Sequence, residues 1–187
     1  MLYQIISFLL EVAATLVGGA CLLRLYMGWR RMSMQNPVGR FVLALTDWLV
    51  LPLRRLLPPR GSLDAASLLG AWLVKLLQFI VMMLLLGGHS WAVLPVLALL
   101  GIFKLAISVA TSVVLVSVLL SWTQSRSPIG DVFDRLSAPL LAPLRRIIPL
   151  IGGIDLSPLA LLVLLQIASI MLGAAQASLL GGVVLGV

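Results

Sequence analysis

The stretch Asn36–Asp64, NPVGRFVLALTDWLVLPLRRLLPPRGSLD, returns 91 residues later as Ser127–Asp155, SPIGDVFDRLSAPLLAPLRRIIPLIGGID. No gap is needed between the two. Pro37, Gly39, Leu45, Leu49, Pro52, Leu53, Arg54, Arg55, Pro58, Gly61 and Asp64 fall on Pro128, Gly130, Leu136, Leu140, Pro143, Leu144, Arg145, Arg146, Pro149, Gly152 and Asp155, which is 11 identities in 29 positions. Matching leucines follow from composition alone in so leucine-rich a chain. Matching proline, glycine, Arg-Arg and aspartate at fixed spacing do not. The chain therefore reads as a duplication, and the repeat constrains the topology before any single element is assigned. The expected units are residues 1–88 and 89–187, each a span, an amphipathic loop and a second span.

Outward from these stretches the sequence turns apolar. Hydrophobic residues make up 61% of the 187 and charged residues only 10%, against about 25% charged in soluble domains. A soluble fold of this length could not hide so much apolar surface, so the solvent is lipid. A span needs roughly 20 apolar residues. Four candidates follow: Leu2 to Gly28, Ala65 to Leu86, Trp91 to Trp122 and Pro158 to Leu180. The third is long enough to be split, kinked or begun by an interfacial turn near Pro95. The first lacks a basic leader region and contains Glu11, so it is expected to belong to the mature fold.

The net charge of +7 would point to nucleic acid in a soluble protein. Here the cations lie between apolar segments, which points to anionic lipid headgroups instead. Arg30, Arg31, Arg40, Arg54, Arg55 and Arg60 sit in the first repeat loop, and Arg126, Arg135, Arg145 and Arg146 in the second. The link Gly87-Gly88-His89-Ser90 and both ends carry no lysine or arginine. The positive-inside rule then places both loops in the cytoplasm and both termini in the periplasm. Two spans per copy give the copies one shared orientation, a parallel repeat. The expected fold class is an all-α integral membrane protein with four transmembrane helices in two parallel two-helix repeats.

Each loop reads as an amphipathic helix lying in the membrane plane. Arg40, Asp47, Arg54 and Arg55 share one side, with Phe41, Leu45, Trp48, Leu49 and Leu56 opposite. In the second copy Asp131, Arg135, Arg145 and Arg146 stand against Val132, Phe133, Leu136, Leu140 and Ile147. Pro52 and Pro143 predict a bend rather than one unbroken helix, and Pro139 adds a second break. Asn36-Pro37 and Ser127-Pro128 are helix starts, with a capping side chain before proline at the first helical position. Asp64 and Asp155 are expected to cap the following spans, after turns at Gly61 and Gly152. The pairs Arg54-Arg55 and Arg145-Arg146 either set orientation or contact a lipid headgroup or partner.

Glu11, Lys75 and Lys104 lie inside predicted spans, where a charge costs at least about 2.5–3.5 kcal/mol. At ~1.5 Å per residue they sit at comparable depths, ~14–20 Å from the outer ends. The expectation is a charge pair between Glu11 and Lys75 or Lys104. Arg24, near the inner boundary, is expected to snorkel. Trp29, Trp48, Trp91 and Trp122 fall near interfaces, as aromatic belts do. Catalytic chemistry has no visible seat. The single cysteine, Cys21, reads as a small buried hydrophobe, and the single histidine, His89, as a loop residue. There is no CxxC, no phosphate-cradling loop, no nucleophile–base pair and no metal-ligand spacing, so no cofactor, metal or enzyme activity is expected.

The repeated pattern Asn/Ser-Pro, then Pro-Leu-Arg-Arg, then Gly-x-x-Asp resembles the YGGT family of small bacterial and plastid membrane proteins. The resemblance covers both copies and so most of the chain. It implies no established enzyme activity. It implies roles in membrane biogenesis: plastid cytochrome b6 haem-attachment assembly and nucleoid distribution, links to cell division, and osmotic or ion stress tolerance. The expected function is a non-enzymatic inner-membrane scaffold or assembly factor acting through its basic loops. Its expected partners are anionic lipids and other membrane proteins or further copies of itself. The alternative is a small transporter or channel component for ions or osmolytes.

Overall fold

In hydrocarbon a backbone must satisfy its own N–H and C=O groups, and long apolar runs do so as helices. The computed structural model describes residues 2–58, 64–86, 91–122, 127–148 and 155–185. Every element among them is helical. Helix α1 spans Leu2–Trp29, α2 Pro37–Leu56, α3 Ala65–Leu86, α4 Leu94–Trp122, α5 Pro128–Ile147 and α6 Ser157–Leu185. A 3-10 turn, Trp91–Val93, leads into α4, so the third span does begin with a turn beside Pro95. Arg60, Gly61, His89, Arg126 and Gly152, and the link they flank, lie outside the described residues.

Four helices are long and apolar enough to cross a membrane: Tyr3–Trp29, Ala65–Leu85, Trp91–Trp122 with its leading turn, and Ser157–Leu179. The chain is a multi-pass membrane protein. Helix α1 packs chiefly on α3, and α4 on α6 and α3. The 20-residue helices α2 and α5 each close a hairpin: α2 touches α1 and α3, and α5 touches α4 and α6. Cys21, Leu22, Val50, Ala66, Ala71 and Leu105 form one core. Met27, Val113, Val132 and Leu136 form the other. Two glycines allow the close approaches between spans. A Cβ on Gly18 would stand 2.8 Å from Leu105, and one on Gly101 would stand 3.2 Å from Phe79.

Both proline-bearing loops differ from expectation. Helix α2 runs through Pro52, and α5 runs through Pro139 and Pro143. Each proline removes one N–H and frees the carbonyl four residues earlier. Pro52 and Trp48 are both on the exposed side of α2. The freed carbonyl therefore faces outward, where it can be solvated, and the helix continues. The side assignment also divides. Val42, Thr46 and Val50 turn inward on α2, while Phe41, Trp48, Leu51 and Leu56 are exposed.

The helix boundaries follow from local chemistry. Asn36 Oδ1 accepts from Gly39 N at 2.7 Å, and Ser127 Oγ accepts from Gly130 N at 3.0 Å, each with proline at the first helical position. Helix α1 ends in a Schellman arrangement: Met32 N donates to Met27 O at 2.9 Å and Arg31 N to Gly28 O at 3.0 Å. Arg31 takes the left-handed conformation there, with φ 52°. The chain then folds back so tightly that a Cβ on Gly39 would lie 2.6 Å from the Met34 carbonyl oxygen. Backbone cannot yield as a flexible side chain can. Gly39→Ala is therefore expected to destabilise the protein by about 1–3 kcal/mol, read as a lower thermal midpoint in detergent.

Candidate functional site

An arginine in an apolar span must find partners or reach water. Arg24 finds partners. It is only 3% exposed, which corrects the expectation that it snorkels. Its Nη1 donates to Thr46 Oγ1 and to Asp47 Oδ1, both at 2.8 Å. Its Nε stands 3.8 Å from Asp64 Oδ2. Thr46 can serve because its own hydroxyl donates back to Val42 O at 2.7 Å, leaving lone pairs for the guanidinium. Asp64 opens α3 and holds Arg54 Nη2 at 2.5 Å and Ser67 Oγ at 2.7 Å on the same oxygen. Burial pushes the Asp64 carboxyl up, but the hydrogen bonds from Arg54 and Ser67 outweigh it and hold the group below its ordinary value. Two arginines face two aspartates, so the cluster is charge-balanced and ties α1, α2 and α3 together.

The second copy builds its cluster differently. Arg145 Nε donates to Asp155 Oδ2 at 2.8 Å, as Arg54 does to Asp64. Asp155 Oδ1 accepts from Ser157 N at 2.9 Å. Hydrogen bonding to Ser157 holds this carboxyl low as well, against the opposing effect of burial, and Arg145 adds to the lowering. Ser137, which corresponds to Thr46, donates to Ser117 Oγ at 3.0 Å, and Ser117 donates to Asp134 Oδ1 at 2.9 Å. Beside them lies a cavity of about 510 Å³ bordered by Ser117, Trp122, Asp134, Ser137, Arg145 and Asp155. A further hydrogen bond joins the copies: Tyr26 Oη donates to Leu136 O at 2.8 Å.

The sequence-predicted residues are distributed as follows. The structure brings Arg54 to Asp64 and Arg145 to Asp155. Arg55 and Arg146 are exposed and enter no ion pair among the described residues. Asp64 caps α3 through its backbone carbonyl, which accepts from Ser67 N at 3.0 Å, while its carboxylate serves the arginine and the Ser67 hydroxyl. Glu11 is exposed on α1, and among the described residues no direct ion pair joins it to Lys75 or Lys104. Lys75 instead donates to Gln78 Oε1 at 2.8 Å, three residues along the same helix. That spacing puts both side chains on one face, so a local amide satisfies the buried ammonium.

Sequence reasoning missed Arg24, Thr46, Gln78 and the Ser117–Asp134–Ser137 chain. One signal was present. Arginine and aspartate recur ten positions apart in both copies, at Arg54 and Asp64 and at Arg145 and Asp155. Two residues kept at one spacing through a duplication invite pairing with each other rather than separate roles.

The family model described as CCB3/YggT matches residues 3–85 and again 96–176. The chain is 38% identical over 171 residues to "Uncharacterized protein in proC 3'region" of Vibrio alginolyticus, covering 89% of this chain and 92% of the relative. It is 36% identical over 166 residues to "Uncharacterized protein YggT" of Escherichia coli strain K12, covering 87% and 86%. An "Uncharacterized protein" of Haemophilus influenzae is 34% identical over 146 residues, covering 77% and 78%. No solved structure matches the chain.

Proposed function

The chain belongs to the CCB3/YggT family, and we propose that it is a non-enzymatic inner-membrane scaffold or assembly factor with α2 and α5 lying along the inner leaflet. The observation that carries this reading is the division of labour within each Arg-Arg pair. Arg54, half-buried, and Arg145, on the surface, are each held in an ion pair, by Asp64 and Asp155. Arg55 and Arg146 remain exposed on the same helices, beside the exposed side chains of Trp48, Leu56 and Ile147. One arginine of each pair fixes the helix to its hairpin, and the other is free for a phosphate or an acidic partner surface. Outward arginine and tryptophan side by side suit a headgroup boundary. Arginine excess in the two loops supports a cytoplasmic placement, with both termini periplasmic and the two hairpins, 1–88 and 89–187, in parallel.

The test is crosslink-stabilised affinity purification from native membranes, comparing wild type with Arg55→Glu/Arg146→Glu. Each charge near an anionic surface contributes about 1 kcal/mol. Removing both predicts a loss of bound anionic lipid and partner protein of at least about tenfold, with insertion intact. Recovery of the same proteins and lipids from the double variant would sink the scaffold reading. A second reading, a transporter for ions or osmolytes, is favoured by the burial of Lys75 within α3. Solute flux in proteoliposomes that disappears in Lys75→Met would select it instead.

A further inference from the structure

We propose that the cavity of the second copy is a receptor for a small organic cation carrying one guanidinium or ammonium group. In the first copy, α1 ends at Trp29, and the side chain five positions earlier, Arg24, fills the space against Thr46, Asp47 and Asp64. In the second copy, α4 ends at Trp122, and the side chain five positions earlier is Ser117. Ser117 meets Ser137, the counterpart of Thr46. A hydroxymethyl group stands where the other hairpin has a full arginine, and a cavity of about 510 Å³ opens beside it.

Two of the three acceptors around that space are kept. Asp155 stands for Asp64 and Ser137 for Thr46. The position of Asp47 is taken by Ala138, but Asp134 lies one helical turn earlier on the same face of α5 and borders the cavity. The charges no longer cancel. The first cluster sets Arg24 and Arg54 against Asp47 and Asp64. Among the described residues that border the cavity, the second sets Arg145 alone against Asp134 and Asp155. The shortfall is one positive charge, at the place where the sister hairpin supplies a guanidinium covalently. Asp134 is exposed, and Trp122 is 77% exposed, so a solute can reach the cavity from the aqueous end of α4.

The test uses the full chain in nanodiscs of zwitterionic lipid, titrated with methylguanidinium and with methylammonium at constant ionic strength. Trp122 borders the cavity and reports occupancy through its fluorescence, with Trp122→Phe as the assignment control. A saturable response is expected in wild type. Asp134→Asn, a change at an exposed position, should weaken it at least tenfold. Ser117→Arg should abolish it while leaving the thermal midpoint at or above that of wild type, because the new side chain occupies the site in cis as Arg24 does. A wild-type response that fails to saturate would overturn the proposal. So would a saturable response unchanged in Asp134→Asn, whatever the folding of Ser117→Arg.

Discussion

Asp64→Ala is expected to destabilise the protein by about 3–5 kcal/mol, the scale of breaking a buried ion pair, whereas Asp155→Ala costs about 0–1 kcal/mol, as an exposed pair does. The two residues occupy the same repeat position and bind the same arginine. Their surroundings decide the difference. The Asp64 side chain is 9% exposed and faces Arg54 and the 3%-exposed Arg24. Removing it leaves the buried Arg24 with Asp47 as its one carboxylate and Arg54 with none among the described residues. Asp155 and Arg145 are 28% and 51% exposed, so each can turn to solvent when the other is lost. The pH dependence follows. Asp64 is held below its ordinary value, so its stabilisation is complete above the unfolded carboxylate range, about pH 4. It is lost as pH falls through the lower folded value. Thermal midpoints in detergent should hold level from pH 7 to about 4 and fall below that in wild type and in Asp155→Ala. They should start low and fall less in Asp64→Ala. Equal midpoints for the two variants at pH 7 would refute the buried-cluster account.

The spans were legible because lipid imposes a crude condition, length and apolarity, that the sequence meets four times. Helix starts at Asn36 and Ser127 were legible because a cap and a following proline act within three residues. What escaped was everything that depends on which side of a helix faces which neighbour. Arg24 sits near a span end, where a long side chain can reach water, and nothing local says that Asp47, 23 residues on, will meet it. The apolar residues of α2 were read as one face, but α2 has two apolar environments: Val50 enters the core with Cys21 and Ala71, while Trp48 and Leu51 look outward. Proline was read as a break because its local cost is real. The structure places Pro52 where the freed carbonyl faces outward. Glu11 and Lys75 were matched by depth, and depth does not fix contact distance: Glu11 acts on Lys75 as a nearby charge, with no direct ion pair among the described residues. Gln78, three residues from Lys75, was the nearer partner.

Arg24→Ser would give the first hairpin the side chain that the second one has at Ser117. It is expected to destabilise the protein by about 3 kcal/mol, again the scale of a broken buried pair, and the loss should be recoverable by solute. The variant removes the hydrogen bonds to Thr46 and Asp47 and opens a hole beside Asp64, whose remaining partners are Arg54 and Ser67. Removing the guanidinium from an intact ring of acceptors leaves a cavity shaped for it, so methylguanidinium in the medium should restore part of the thermal midpoint. Methylurea, of similar shape but uncharged, should not. A ligand that binds only the folded state stabilises it by an amount that grows with the logarithm of its concentration once above Kd. The rescue should therefore rise steadily with methylguanidinium in Arg24→Ser and be absent from Arg24→Lys, whose ammonium keeps the charge in place. If methylguanidinium and methylurea act alike, Arg24 holds the hairpin by filling volume rather than by its charge and hydrogen bonds. The hydrogen-bonded cluster would then not be the principal tie among α1, α2 and α3.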